Sequence, residues 1–162
     1  MNTARLTPAD RFITAYIECA LWASIEGPDD TPMDRDYGLE DFAESTVQSI
    51  RLDCEQFIRE QAEVLDYVDS TGEHGDTYAM AGHDFWLTRN GHGAGFWDGD
   101  WDIQLPAGAD GGESGLSDRL AGDVLTAATE KFSECDLYVG DDGRVYVTPE
   151  RTAAAEVTVA AE

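Results

Sequence analysis

The sequence predicts an α+β fold, with about three helices packed on a small antiparallel sheet formed by two β-hairpins. Three observations carry this expectation. Two long stretches, 7–24 and 45–68, repeat apolar residues at helical spacing. Asn90-Gly91 stands between two aromatic runs, a short hairpin signal. Leu137-Tyr138-Val139 and Val145-Tyr146-Val147 flank the turn-forming run Gly140-Asp141-Asp142-Gly143-Arg144. The 162 residues suit one domain large enough to bury a core without staples. That domain is expected over 1–148, with the alanine-rich residues 149–162 as a mobile tail.

Taken in order, Thr7 can cap a first helix, Pro8 suits its first position and Asp10 favours its positive end. Phe12, Tyr16, Cys19 and Ala23 share one face, and Gly27-Pro28 stops the helix. Residues 26–38 read as a polar loop, followed by a short helical turn at Leu39–Phe42. A second helix is expected from Ser45 to Val68, with Val47, Ile50, Cys54, Phe57, Ile58, Leu65 and Val68 inside. Residues 69–82 read as a loop in which His74 is solvated. Residues 99–115 read as an exposed loop. Ser117 can cap a third helix over 118–132. The last hairpin is expected to turn over Asp141–Gly143 with Gly143 left-handed, which pairs Tyr138 with Tyr146 and Val139 with Val145.

The stretch 83–98 organises the reading. It holds two of the three histidines and two of the four tryptophans. A two-residue turn at Asn90-Gly91 would set Arg89 against His92, Phe85 against Phe96 and His83 against Asp98, with Trp86 over the bare Gly95. The candidate binding residues are therefore His83, Asp84, Trp86, Arg89, Asn90, His92 and Trp97, at the tip and on the tryptophan side of this ribbon. A shared metal at His83 and His92 is disfavoured, because six residues at about 3.3 Å each separate the ends of such a hairpin by roughly 20 Å. Asp98, Asp100 and Asp102 begin like a calcium loop and are weak metal candidates, but Ile103 stands where the loop needs glycine and Ala109 where it needs glutamate. Gly91-His92-Gly93-Ala94-Gly95 matches neither phosphate-loop pattern. No GxSxG occurs, and Cys135 lies between Glu134 and Asp136, which disfavours its thiolate. No catalytic residue and no cofactor are expected.

The runs Gly82–Asp98 and Asp136–Gly143 resemble signature segments of a family of small, acidic tailed-phage and virus proteins, and 15–22 is similar as well. The resemblance spans roughly residues 10–147, with a longer connection at 99–115 than the family carries. It implies a viral origin and action in the cytoplasm of an infected microbial cell. The family has no established activity, so the resemblance supplies no site residues.

The charge is the other guide to function. The 34 acidic residues outweigh 10 basic ones to give a formal net charge of −24, and Lys131 is the single lysine. Such a chain repels polyanions, so direct nucleic-acid binding is not expected. The acidity suits either a salt-adapted host, where screening makes it tolerable, or a surface that meets a basic partner. Cys19, Cys54 and Cys135 are odd in number and form no CxxC pair, as expected of buried thiols in a reducing compartment. Neither a signal-peptide pattern nor a membrane-length apolar run is present. The expected function is a non-enzymatic viral accessory protein that binds a host or viral protein, in a narrower version a host-defence antagonist or nucleic-acid mimic. The alternatives are a small enzyme or metal-dependent site using His83, Asp84, Arg89 and His92, and a virion or assembly component.

Overall fold

A computed structural model describes residues 5–106 and 119–152. The chain is α+β, with five helices and two separate two-stranded antiparallel sheets among these residues. Helix α1 is Pro8–Ala23, α2 is Glu44–Glu60, α3 is Ala62–Thr71, α4 is Thr77–Arg89 and α5 is Ala121–Thr129. Strands β1 (Ile25–Glu26) and β2 (Thr31–Pro32) make a minimal hairpin after α1, and short 3₁₀ turns follow at Met33–Arg35 and Leu39–Asp41. Strands β3 (Asp136–Val139) and β4 (Val145–Thr148) form the C-terminal hairpin.

The locally encoded parts form as the sequence predicts. Thr7 caps α1 by accepting from the Asp10 amide at 3.1 Å, and the Asp10 carboxylate accepts from the Thr7 amide at 3.2 Å. This reciprocal cap satisfies two otherwise orphaned donors. Thr7→Ala is expected to lower folding stability by about 1 kcal/mol, read as a lower urea midpoint at unchanged slope. The β3–β4 register pairs Tyr138 with Tyr146 and Val139 with Val145, and Gly143 adopts φ 79°. The two tyrosine rings stack at 5.5 Å.

The expected hairpin at 84–97 does not form. Residues 77–89 are helix α4, and Asn90-Gly91 closes it. Asp76 caps the start by accepting from the Ala79 amide. At the end, Gly91 takes φ 65°, its amide donates to the Thr88 carbonyl, and the His92 amide donates to the Leu87 carbonyl. That pair of bonds is the Schellman arrangement of a helix terminus. Glycine at positive φ serves a type I′ turn and this cap alike, so the dipeptide does not choose between them. The helix is buried nearly all round, which removes the one-sided apolar stripe that would have marked it. The sequence-expected helix 45–68 is likewise two helices, α2 and α3, divided at Gln61, whose ψ is 16°. Five helices therefore replace the expected three. The second small sheet is the 25–32 hairpin, apart from β3–β4. The start of α5 is Ala121; the expected cap Ser117 lies outside the described residues.

Helix α4 runs through the centre of the molecule and pairs most extensively with α1. The helices approach closely at Gly82, where a Cβ would lie 2.0 Å from the Phe12 carbonyl oxygen. Around this crossing lies an aromatic core. Phe57 stacks on Phe85 at 4.3 Å, Phe12 and Phe132 flank Phe85, Tyr16 meets Trp86 edge-on at 5.3 Å, and Phe96 meets Trp101 at 5.2 Å. The segment after α4 folds back over it: the Phe96 amide donates to Thr88 Oγ1, and the 101–105 backbone then pairs with residues 119–122 ahead of α5. Strand β4 joins the helices through the bridge of Val145 to Phe42. The first residues of the expected tail are held: Glu150 accepts from Ser45 and Thr46, and the Arg151 amide donates to Ser49 Oγ. The rest of the expected tail, 153–162, lies outside the described residues.

Candidate functional site

The residues singled out in the sequence divide into three groups. Trp86, Arg89 and Asn90 are structural. Trp86 is buried against Tyr16. Asn90 donates to the Trp86 carbonyl and accepts from the Cys135 amide, tying α4 to the entry of β3. The Arg89 side chain is 4% exposed. Its Nη1 donates to Asp53 Oδ2 at 2.9 Å and to the Tyr16 hydroxyl at 3.0 Å, and its Nε and Nη2 donate to the Ser133 carbonyl at 3.0 and 2.6 Å. Arg151 donates to the other oxygen of Asp53 at 2.8 Å. Burial works against the Arg89 charge, but its partners Tyr16, Cys135 and Asp53 outweigh it and raise the guanidinium pKa. Arg89 is thus a buried clamp, not an exposed hairpin tip.

His92 and Trp97 form the second group. Both are exposed beyond the end of α4, and neither lines the groove described next. The expected neighbours Arg89 and His92 therefore face different surroundings.

The third group converges. His83 and Asp84 line an open groove of about 750 Å³ between α1 and α4. Glu18, Cys19 and Trp22 of α1 line it too, with Asp34 from the first 3₁₀ turn and Asp98 and Asp100 from the returning loop. Trp22 is 60% exposed, and its ring lies 6.5 Å from that of His83. The Asp84 side chain is 11% exposed. Its Oδ2 accepts from the Trp101 indole at 2.7 Å, and its Oδ1 lies 3.1 Å from His83 Nδ1. The loop bearing Asp98 and Asp100 is held by His74, whose Nε2 donates to the Asp100 carbonyl at 2.7 Å while its ring packs edge-on against Trp101. His74, expected as a solvated loop residue, is in fact a half-buried strut. Asp102 does not line the groove. Among the described residues no group of three or more His, Cys, Asp or Glu side chains is arranged to hold a metal ion.

No family model, curated protein or solved structure matches this chain. The chemistry of the groove must therefore be read from its own residues.

Cys19, His83 and Asp84 are the residue types of a cysteine-nucleophile triad, and they line one groove, Cys19 from α1 and the other two from α4. The thiol is poorly suited to attack. Burial, reinforced by the charge of Asp84, pushes the Cys19 pKa up to about 12. Cys54 and Cys135 are also raised, first by burial. All three thiols are expected to resist iodoacetamide at pH 8 in the native protein and to react once urea unfolds it. The same shift sets a pH dependence. A thiol whose folded pKa exceeds its unfolded value adds stability that is complete below about 9 and is lost as pH climbs towards about 12. Urea midpoints are expected to hold near pH 8 and to fall steadily above pH 9.

What sequence reasoning missed is the α1 wall of the groove. Glu18 and Trp22 are one helical turn apart on the face opposite the apolar stripe. A large exposed tryptophan beside a carboxylate was the signal available to find it.

Proposed function

We propose that the chain is a small, non-enzymatic, virus-encoded accessory protein that acts in the cytoplasm of an infected cell by binding a host or viral protein with a basic surface. The observation that carries the reading is the net charge of −24, combined with a groove whose lining, among the described residues, includes five carboxylates and neither lysine nor arginine. Viral origin rests on the resemblance of segments 82–98 and 136–143. The narrower version, a mimic with carboxylates in place of phosphates, asks for a row of acidic side chains along one face. Exposed acidic residues are instead distributed over α1, α2, α3, α5 and the C-terminal hairpin, which favours a general acidic coat over a phosphate-spaced row. The enzyme alternative asks that His83, Asp84, Arg89 and His92 converge; only the first two reach the groove.

The test is affinity capture of the tagged protein from infected cells, with an acidic protein of matched charge as control. The expected result is selective enrichment of a basic host or viral protein that binds the purified chain directly and more weakly as salt rises. Enrichment no greater than the control's would sink the reading.

A further inference from the structure

We propose that the groove between α1 and α4 receives an arginine side chain from the partner's basic segment. The inference rests on the reading above and names how that partner is held. A contrast between two carboxylates largely withdrawn from solvent carries it. Asp53, 15% exposed at its side chain, is met by two guanidiniums, Arg89 and Arg151. Asp84, at 11%, is met by an indole and an imidazole, and among the described residues no arginine or lysine pairs with it. A carboxylate taken out of water needs compensation, and a cation is the strongest source of it. Trp101 holds Oδ2 in place, so the carboxylate is oriented before any ligand arrives.

The surroundings select the cation. The groove volume of about 750 Å³ lies in the range of binding clefts. Glu18, Asp98 and Asp100 add negative potential from two further segments of the chain. Trp22 presents an exposed indole beside His83, and an indole is the best aromatic partner for a cation. Guanidinium is planar, so it can stack on Trp22 while its N–H groups face carboxylates; an ammonium offers only a point charge. Arginine is therefore preferred over lysine.

The test is calorimetric titration of the full chain with three octapeptides that alternate glycine with arginine, lysine or glutamate. The arginine peptide is expected to bind about tenfold more tightly than the lysine peptide, and the glutamate peptide not at all. Trp22→Ala and Glu18→Gln are each expected to weaken the arginine peptide by about fivefold or more. Both positions are exposed, so the variants should keep the native circular dichroism. A control variant carrying Glu63→Gln and Glu130→Gln, two exposed acids outside the groove, is expected to change affinity by less than about twofold. Equal losses in the control and groove variants, or unchanged affinity in Trp22→Ala, would overturn the groove assignment. If a captured partner still binds Trp22→Ala and Glu18→Gln at full strength, the arginine groove fails while the broader function stands; if no partner is captured at all, the broader reading fails.

Discussion

Replacing Arg89 by leucine is expected to remove about 3–5 kcal/mol of folding stability. The side chain is buried and its guanidinium serves three partners at once: the Asp53 carboxylate, the Tyr16 hydroxyl and the Ser133 carbonyl. Leucine would leave those acceptors without their donor, and the desolvation of a buried carboxylate is the largest part of the loss. Arg89→Lys keeps the charge but cannot reproduce the fork onto Ser133, so it should fall between wild type and Arg89→Leu. Arg151→Ala, which strips the more exposed partner of Asp53, should cost about 1–2 kcal/mol. Urea unfolding followed by tryptophan fluorescence ranks the three; an Arg89→Leu protein as stable as wild type would show that the clamp contributes nothing.

The second large effect is expected at Gly82. Alanine in a helix interior is favoured over glycine by about 1 kcal/mol. Here the added methyl would sit 2.0 Å from the Phe12 carbonyl oxygen, which is backbone and cannot swing aside. The two helices must separate, disturbing the stacked rings at their crossing. Gly82→Ala is expected to destabilise by about 2–3 kcal/mol net, with Gly82→Val worse. Gly75→Ala, where nothing lies within 4 Å of the new Cβ, should stay within about 0.5 kcal/mol of wild type. Thermal melts of the pair give the answer directly.

These positions show what was legible in the sequence. The cap at Thr7 and the turn at Gly143 are decided by residues within one turn of each other, and both were readable. Helix α4 was not. Its N-terminal half reads as loop, its apolar residues face every direction, and Asn90-Gly91 satisfies the backbone demands of two different structures. What decides is tertiary: α1 accepts a helix at Gly82, and a ribbon would bring no such complementary face. The candidate site was legible only in part. His83, Asp84, Asp98 and Asp100 belong to the stretch that drew attention, yet their grouping with Glu18 and Trp22 depends on α1 crossing α4. Arg89 reads from the sequence as an exposed tip, but its guanidinium is taken up by Asp53, Tyr16 and Ser133.

The clamp on Asp53 also has a bearing on how the protein is born. Its two guanidiniums arrive 36 and 98 residues later in the chain. At a synthesis rate of about 5–20 residues per second, Asp53 waits roughly 5–20 s for Arg151 to be made. A nascent chain thus carries Asp53 with one guanidinium, that of Arg89 at the end of α4, until Arg151 supplies the second. Full pairing of Asp53 therefore waits for a residue made 98 positions later, and a surplus of negative charge along the growing polypeptide opposes association of unfinished copies in that interval.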